Sequence, residues 1–165
     1  MIRYEAIRKN PQQFLSLTGM EVAVFDALHL AYKKQWDKYI QQYTVAGQKR
    51  VRPHRQRRDG VLEQTEDQLL FVLHYLKSNN LQEHHAACYG MRQSQCNMWL
   101  QLLTGLLHKT LAALKHIPQR DARKLTKALK ESKEVFIDGT ERDIDRPKNQ
   151  QAQRSYYSGK KNAIK

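Results

Sequence analysis

The stretch from Thr65 to Leu107, TEDQLLFVLHYLKSNNLQEHHAACYGMRQSQCNMWLQLLTGLL, constrains this chain more than any other. Leu69, Leu70, Leu73 and Leu76 recur at helical spacing, and Thr65 with Gln68 forms a capping-box pattern in front of them. Ser78, Asn79 and Asn80 interrupt that helix, and Asn80 with Glu83 repeats the capping pattern ahead of a short second one. Gly90 ends the second helix, where a left-handed backbone is easiest for glycine. Met91 supplies an apolar plug inside the turn, and a third helix opens near Arg92 or Gln93. Three helices with a tight turn before the third are the layout of a helix-turn-helix, in which the last helix reads DNA.

The third helix has two chemically distinct sides. Cys96, Leu100, Leu103 and Leu107 share one face, with Trp99 on its flank. The first turns of the opposite face carry Gln93, Ser94, Asn97 and Gln101, neutral side chains able to bond base edges or phosphates. The plain alternative is a small helical bundle with a polar outer surface. Charge favours the DNA reading: 29 Lys and Arg against 16 Asp and Glu leave a net +13, which suits a polyanionic partner. No stretch has the length of a transmembrane span, which speaks against an acidic membrane as that partner.

The N-terminus lacks the apolar core of a secretion signal, and Cys88 and Cys96 give no disulfide framework, so a cytoplasmic protein is expected. His84 and His85 beside those cysteines raise a zinc site, but the spacing matches no zinc motif, and core packing is the better reading.

Upstream, residues 1–17 read as a loose arm or a short helix. Thr18 with Glu21 is a further capping pattern, and Val22, Phe25, Leu28, Tyr32, Trp36 and Tyr39 predict one helix over about 19–42 with an aromatic core face. The segment GQKRVRPHRQRRDG then concentrates six Lys or Arg residues among Gly and Pro, so an exposed flexible loop is expected. From it, Arg50, Arg52, Arg55, Arg57 and Arg58 are the candidate phosphate contacts. Downstream, the third helix is expected to continue through Leu111 and Leu114 until Pro118 stops it. Residues 121–131 form a further amphipathic helix with Leu125, Ala128 and Leu129 inward and Arg123, Lys124, Lys127 and Lys130 outward. Val135, Phe136 and Ile137 make a short strand that runs into Asp138-Gly139, and a second strand is expected to begin within Ser155–Lys161.

VFIDGTERDIDRP followed by YYSGKK resembles the start of the catalytic domain in bacterial DDE transposases of the insertion-sequence-five family. SLTGM, LLFVLHYLK and LQEHHAACYGMRQSQCNMWL are similar to the upstream part of the same proteins. The resemblance implies a helix-turn-helix that binds transposon terminal inverted repeats, joined to a ribonuclease-H-like nuclease domain. It places Asp138 as the first Asp of the Asp-Asp-Glu triad, a catalytic metal ligand. It also implies Mg²⁺ or Mn²⁺ in the complete enzyme, since strand cleavage of this kind uses two divalent ions.

Only 31 residues follow Glu134, and the family's second Asp and its Glu lie farther along. The expectation is therefore a truncated transposase that holds no metal and cleaves nothing by itself. Asp138 with Glu141, Asp143 and Asp145 cannot place two ions without a sheet behind them. The fold expected is mainly α: a helix-turn-helix DNA-binding bundle with a C-terminal β-hairpin fragment of a ribonuclease-H-like domain. Its parts are an N-terminal helical segment (1–46), a basic loop (47–60), the helix-turn-helix domain (61–117), a linker helix (118–134) and the truncated catalytic start (135–165). The function expected is sequence-specific binding of double-stranded DNA at transposon ends, in the bacterial nucleoid. The alternatives are a regulator that occupies those ends and represses transposition, a split enzyme completed by a partner chain, and a basic helical protein without sequence preference. A homodimer stays open.

Overall fold

The computed structural model describes residues 1–54, 60–117, 121–131, 148–151, 157–158 and 163–164. Two units divide the chain, Met1–Pro118 and Gln119–Lys165. In the first unit the helices are α1 (Tyr4–Ile7), α2 (Pro11–Thr18), α3 (Val22–Gln42), α4 (Thr65–Ser78), α5 (Gln82–Cys88) and α6 (Gln93–Ala113). In the second lies α7 (Ala122–Glu131).

Residues 1–17, expected as an arm or one short helix, are two helices docked on the core. The Asn10–Pro11 pair sets the start of α2: the Asn10 side chain accepts from the Gln13 N–H at 3.2 Å, and Pro11 has no N–H to leave unpaired. Gly19 closes the helix at φ 74°, a backbone setting that disfavours any other residue. Thr18 is not the cap of α3. Its hydroxyl donates back to the Phe14 carbonyl at 2.8 Å, and α3 begins after Glu21 without a side-chain cap.

The other two capping patterns are also absent. Thr65 is the first residue of α4, not its cap, and its Oγ1 lies 2.8 Å from His29 Nε2. Gln68 turns inward, donating to the Leu62 carbonyl at 3.0 Å and accepting from the Tyr32 hydroxyl at 3.4 Å. Helix α5 follows Leu81 with no side-chain cap, and Asn79 instead ends α4 in the left-handed region at φ 50°. At Thr65 and Gln68 tertiary partners claimed the side chains that a purely local rule assigns to a helix end, whereas Thr18 turned back onto its own helix.

Helix α4 is the centre of the unit, packed against α1, α2, α3 and α6. Every residue from Asp67 to His74 is buried, so the helix has no polar side over two turns. Leu76, expected in the core, is 54% exposed. Helix α3 buries Phe25, His29, Tyr32, Trp36 and Ile40, while Val22, Leu28 and Tyr39 pack at the edges. Phe14, Phe25 and Tyr4 form a ring cluster with centroids 5.0 to 6.0 Å apart, and Trp36 stacks on Trp99 at 6.1 Å. Complete burial of Phe14, Phe25 and Phe71 contributes about 1.5–3 kcal/mol each. Residues of both 1–46 and 61–117 thus build one hydrophobic core.

Helix α6 does not run on to Pro118. It ends at Ala113, where Lys115 enters the left-handed region at φ 61°. The Lys115 N–H bonds the Ala112 carbonyl at 3.0 Å and the His116 N–H bonds the Leu111 carbonyl at 2.9 Å, which is a Schellman ending. A lysine in that position pays a steric penalty that glycine avoids. Lys115→Gly is expected to raise stability by about 0.5–1 kcal/mol. The gain is read as a higher urea midpoint at unchanged slope.

In the second unit, Leu125 and Leu129 of α7 are exposed at 43% and 42%, not inward as expected. Tyr157–Ser158 pairs antiparallel with Ala163–Ile164, with Tyr157 opposite Ile164. This two-residue ladder does not by itself make the expected ribonuclease-H-like hairpin. The strand expected at Val135–Ile137 lies outside the described residues.

Candidate nucleic-acid interface

The interface is built on the junction between α5 and α6. Gly90, at φ 66°, turns the chain sharply after Tyr89, and Met91 packs inward against the core. The Met91 N–H bonds the Ala86 carbonyl at 3.0 Å, which fixes the turn from within. Tyr89 is fully buried, and burial pushes its phenol well above the usual range. At the start of α6, the Gln95 side chain accepts from the Arg92 N–H at 3.3 Å, satisfying one donor at the helix entrance. Cys96, Leu100, Leu103, Leu106, Leu107 and Thr110 anchor the other side of α6 in the core.

That anchoring decides which residues face outward. Gln93, Ser94 and Gln101 are exposed, and Asn97 is half-buried. These four candidates are therefore brought together on the accessible side of one helix, where amides and a hydroxyl can meet the edges of bases. Gln82, at the first position of α5, joins them. Its Oε1 accepts from Gln93 Nε2 at 2.8 Å, and its Nε2 donates to Asn97 Oδ1 at 3.4 Å. Sequence periodicity did not single out Gln82, because it belongs to a different helix from the residues that it orders.

The basic loop is more structured at its start than a flexible linker. Tyr43 bridges to Lys49, the Gly47 N–H bonds the Thr44 carbonyl at 2.9 Å, and the Thr44 N–H bonds the Gln48 carbonyl at 2.8 Å. Arg50 is held within this turn: its N–H bonds the Gln42 carbonyl at 2.8 Å and its Nε donates to the Tyr43 carbonyl at 2.9 Å. Arg52 is exposed. His54 has its pKa lowered by burial and by the Arg50 charge, against an opposing pull from Asp37. Arg55, Arg57 and Arg58 lie outside the described residues.

The cysteines and histidines considered for zinc sit in different settings. Cys96 is fully buried, and that burial raises its thiol pKa, away from the thiolate a metal needs. His85 lies in the core with Nε2 3.1 Å from the Phe71 carbonyl, while His84 is exposed. Among the described residues, no three His, Cys, Asp or Glu side chains are grouped to hold a metal ion. Asp138, with Glu141, Asp143 and Asp145, falls outside the described residues. No single described helix is long and apolar enough to cross a membrane.

Comparison with known proteins agrees with the geometry. Residues 61–113 match the family model for the helix-turn-helix of DDE superfamily endonucleases. The match covers α4, α5 and α6 and closes at the last residue of α6. The chain therefore carries a helix-turn-helix domain of the transposase type, a kind of domain that points to DNA as its partner. No curated protein and no solved structure matches the chain.

Proposed function

We propose that this chain binds double-stranded DNA in a sequence-specific manner, at the terminal inverted repeats of a transposon of the insertion-sequence-five type. The observation that carries the reading is the outward face of α6, with Gln93, Ser94, Asn97 and Gln101 presented by a helix-turn-helix that matches the DDE endonuclease model. Helix α6 enters the major groove, its amides read base edges, and its buried face keeps its angle to α5 fixed. Arg52 and the free guanidinium nitrogens of Arg50 lie along the phosphates. The net charge of +13 supplies the long-range attraction.

A gel-shift titration tests this, using duplexes of the inverted repeat that flanks the gene, a scrambled duplex, and two salt concentrations. Preference for the repeat is expected to persist at the higher salt, while overall affinity falls at both sites. Gln101→Ala is expected to weaken binding to the repeat about 10-fold or more and to leave the scrambled duplex unaffected. Equal binding to both duplexes, collapsing together as salt rises, overturns the reading in favour of a basic fragment without specificity.

A further inference from the structure

We infer that Gln82 is a positioning residue that sets the base preference of the reading helix, and that the base it sets through Gln93 is an adenine. This rests on the DNA-reading role proposed for α6. The juxtaposition is specific. Gln82 stands at the first position of α5 and Gln93 at the first position of α6, and their side-chain amides are 2.8 Å apart. The second amide bond of Gln82, to Asn97, is longer at 3.4 Å, so Gln93 is the more tightly held.

The hydrogen-bonding inventory gives this contact its consequence. A glutamine amide has two N–H donors and one carbonyl oxygen. Gln93 spends one N–H on Gln82, which leaves its second N–H and its Oε1 free. One donor beside one acceptor is the pattern that adenine meets with N7 and its N6 amino group in the major groove. Turning all three amides over keeps the ladder intact with donors and acceptors exchanged, and Gln93 then still offers one donor and one acceptor side outward. Gln82 also holds the Gln93 side chain in one rotamer before DNA arrives. The entropy of ordering a long flexible amide is then lost in folding and not in binding. Gln93 is exposed, so without Gln82 nothing described here would confine it.

The test is selection of bound duplexes from a library with a randomised core, using the full chain and the variants Gln82→Met, Gln93→Met and the double variant. Methionine keeps the length of the side chain and removes its hydrogen bonds. The wild-type chain is expected to select a motif with an A·T pair at one position. Gln82→Met is expected to lose about five- to tenfold of the discrimination at that position, with a smaller loss at the position facing Asn97, while the positions away from both, the salt dependence of binding and the thermal midpoint stay unchanged. In the Gln93→Met background, Gln82→Met is expected to do nothing further at the A·T position, because it acts there through Gln93. A wild-type motif that Gln82→Met leaves intact overturns this inference alone. A loss spread evenly over all positions with a lowered midpoint also overturns it, since that is the signature of a purely structural role. A wild-type chain that selects no motif overturns the DNA-reading proposal itself, and this inference with it.

Discussion

Asp67→Ala is expected to destabilise the helical domain by about 3 kcal/mol, lowering its melting temperature by roughly 10 °C. Asp67 is only 5% exposed, yet it is a carboxylate inside the most buried helix of the protein. Its Oδ1 accepts from the Tyr4 N–H at 2.7 Å, and its Oδ2 pairs with Arg3 Nη1 at 2.8 Å. The same Arg3 nitrogen donates to the Val61 carbonyl at 2.8 Å, so one carboxylate ties α1, α4 and the entrance to α4 together. Alanine removes both acceptors and leaves the Tyr4 N–H buried without a partner, which costs about 1–3 kcal/mol. Arg3 is more than a third exposed and can rehydrate, so the ion pair itself contributes less than a fully buried one would. Asp67→Asn keeps an acceptor for Tyr4 and is expected to lose only about 1 kcal/mol. Urea denaturation of the two variants separates these parts. A loss below about 0.5 kcal/mol for Asp67→Ala would show that ring packing of Tyr4 on Phe25 and Phe14 docks α1 unaided.

Acid is expected to remove a similar amount of stability through His85. The ring is fully buried between α4 and α5, with Phe71, His74, Tyr75 and Tyr89 all within 5.2 Å between centroids. Burial, reinforced by the neighbouring His74, lowers its pKa to about 4, and the bond to the Phe71 carbonyl opposes this only in part. Among the described residues its Nδ1 has no hydrogen-bond partner, so the added proton would find no acceptor there. The unfolded chain therefore takes up this proton near pH 6.5 and the folded chain only near pH 4. With the folded pKa depressed, the stabilisation is complete above pH 6.5 and is lost as pH falls from 6.5 towards 4. The loss from this residue is about 3 kcal/mol over that window. His74 has its pKa lowered by burial as well and adds to the effect in the same direction. Stability measured at intervals from pH 7.5 to pH 4 checks this, with His85→Leu as the control. The variant is expected to show a markedly flatter profile, and an identical slope in both proteins would remove His85 from the account. Because His85 sits directly behind the α5–α6 turn, DNA binding is expected to fail in step with folding, not before it.

Part of this molecule is legible in the residues alone, and the reason is periodicity. Leu100, Leu103 and Leu107 recur at helical spacing, so their burial follows from any helix with a single covered side. The outward set Gln93, Ser94, Asn97 and Gln101 follows from the same geometry, as the complement of that face. Gly90 was legible because a left-handed turn has few alternatives to glycine. At the start of α4 the sequence rule failed because a distant partner had intervened. Thr65 and Gln68 look like a local capping pair, but His29 and Tyr32, from a helix that no short window contains, and the Leu62 carbonyl claim them. His29 and Ile40 belong to the buried line of α3, although apolar spacing drew attention to Leu28 and Tyr39 instead.

Residue types alone specify a mainly helical chain with a helix-turn-helix, a net charge suited to nucleic acid, and a third helix with a recognisable polar side. Those properties depend on residue types at fixed intervals, which helix geometry translates directly into faces. The packing of separate elements specifies that α1 is tied to α4 through Asp67 and that His85 is sealed between Phe71 and Tyr89. It alone decided that Gln82 meets Gln93 across two helices. Each of those depends on the crossing of separate elements, and the crossing is set by the whole packed core, which no single stretch of sequence contains.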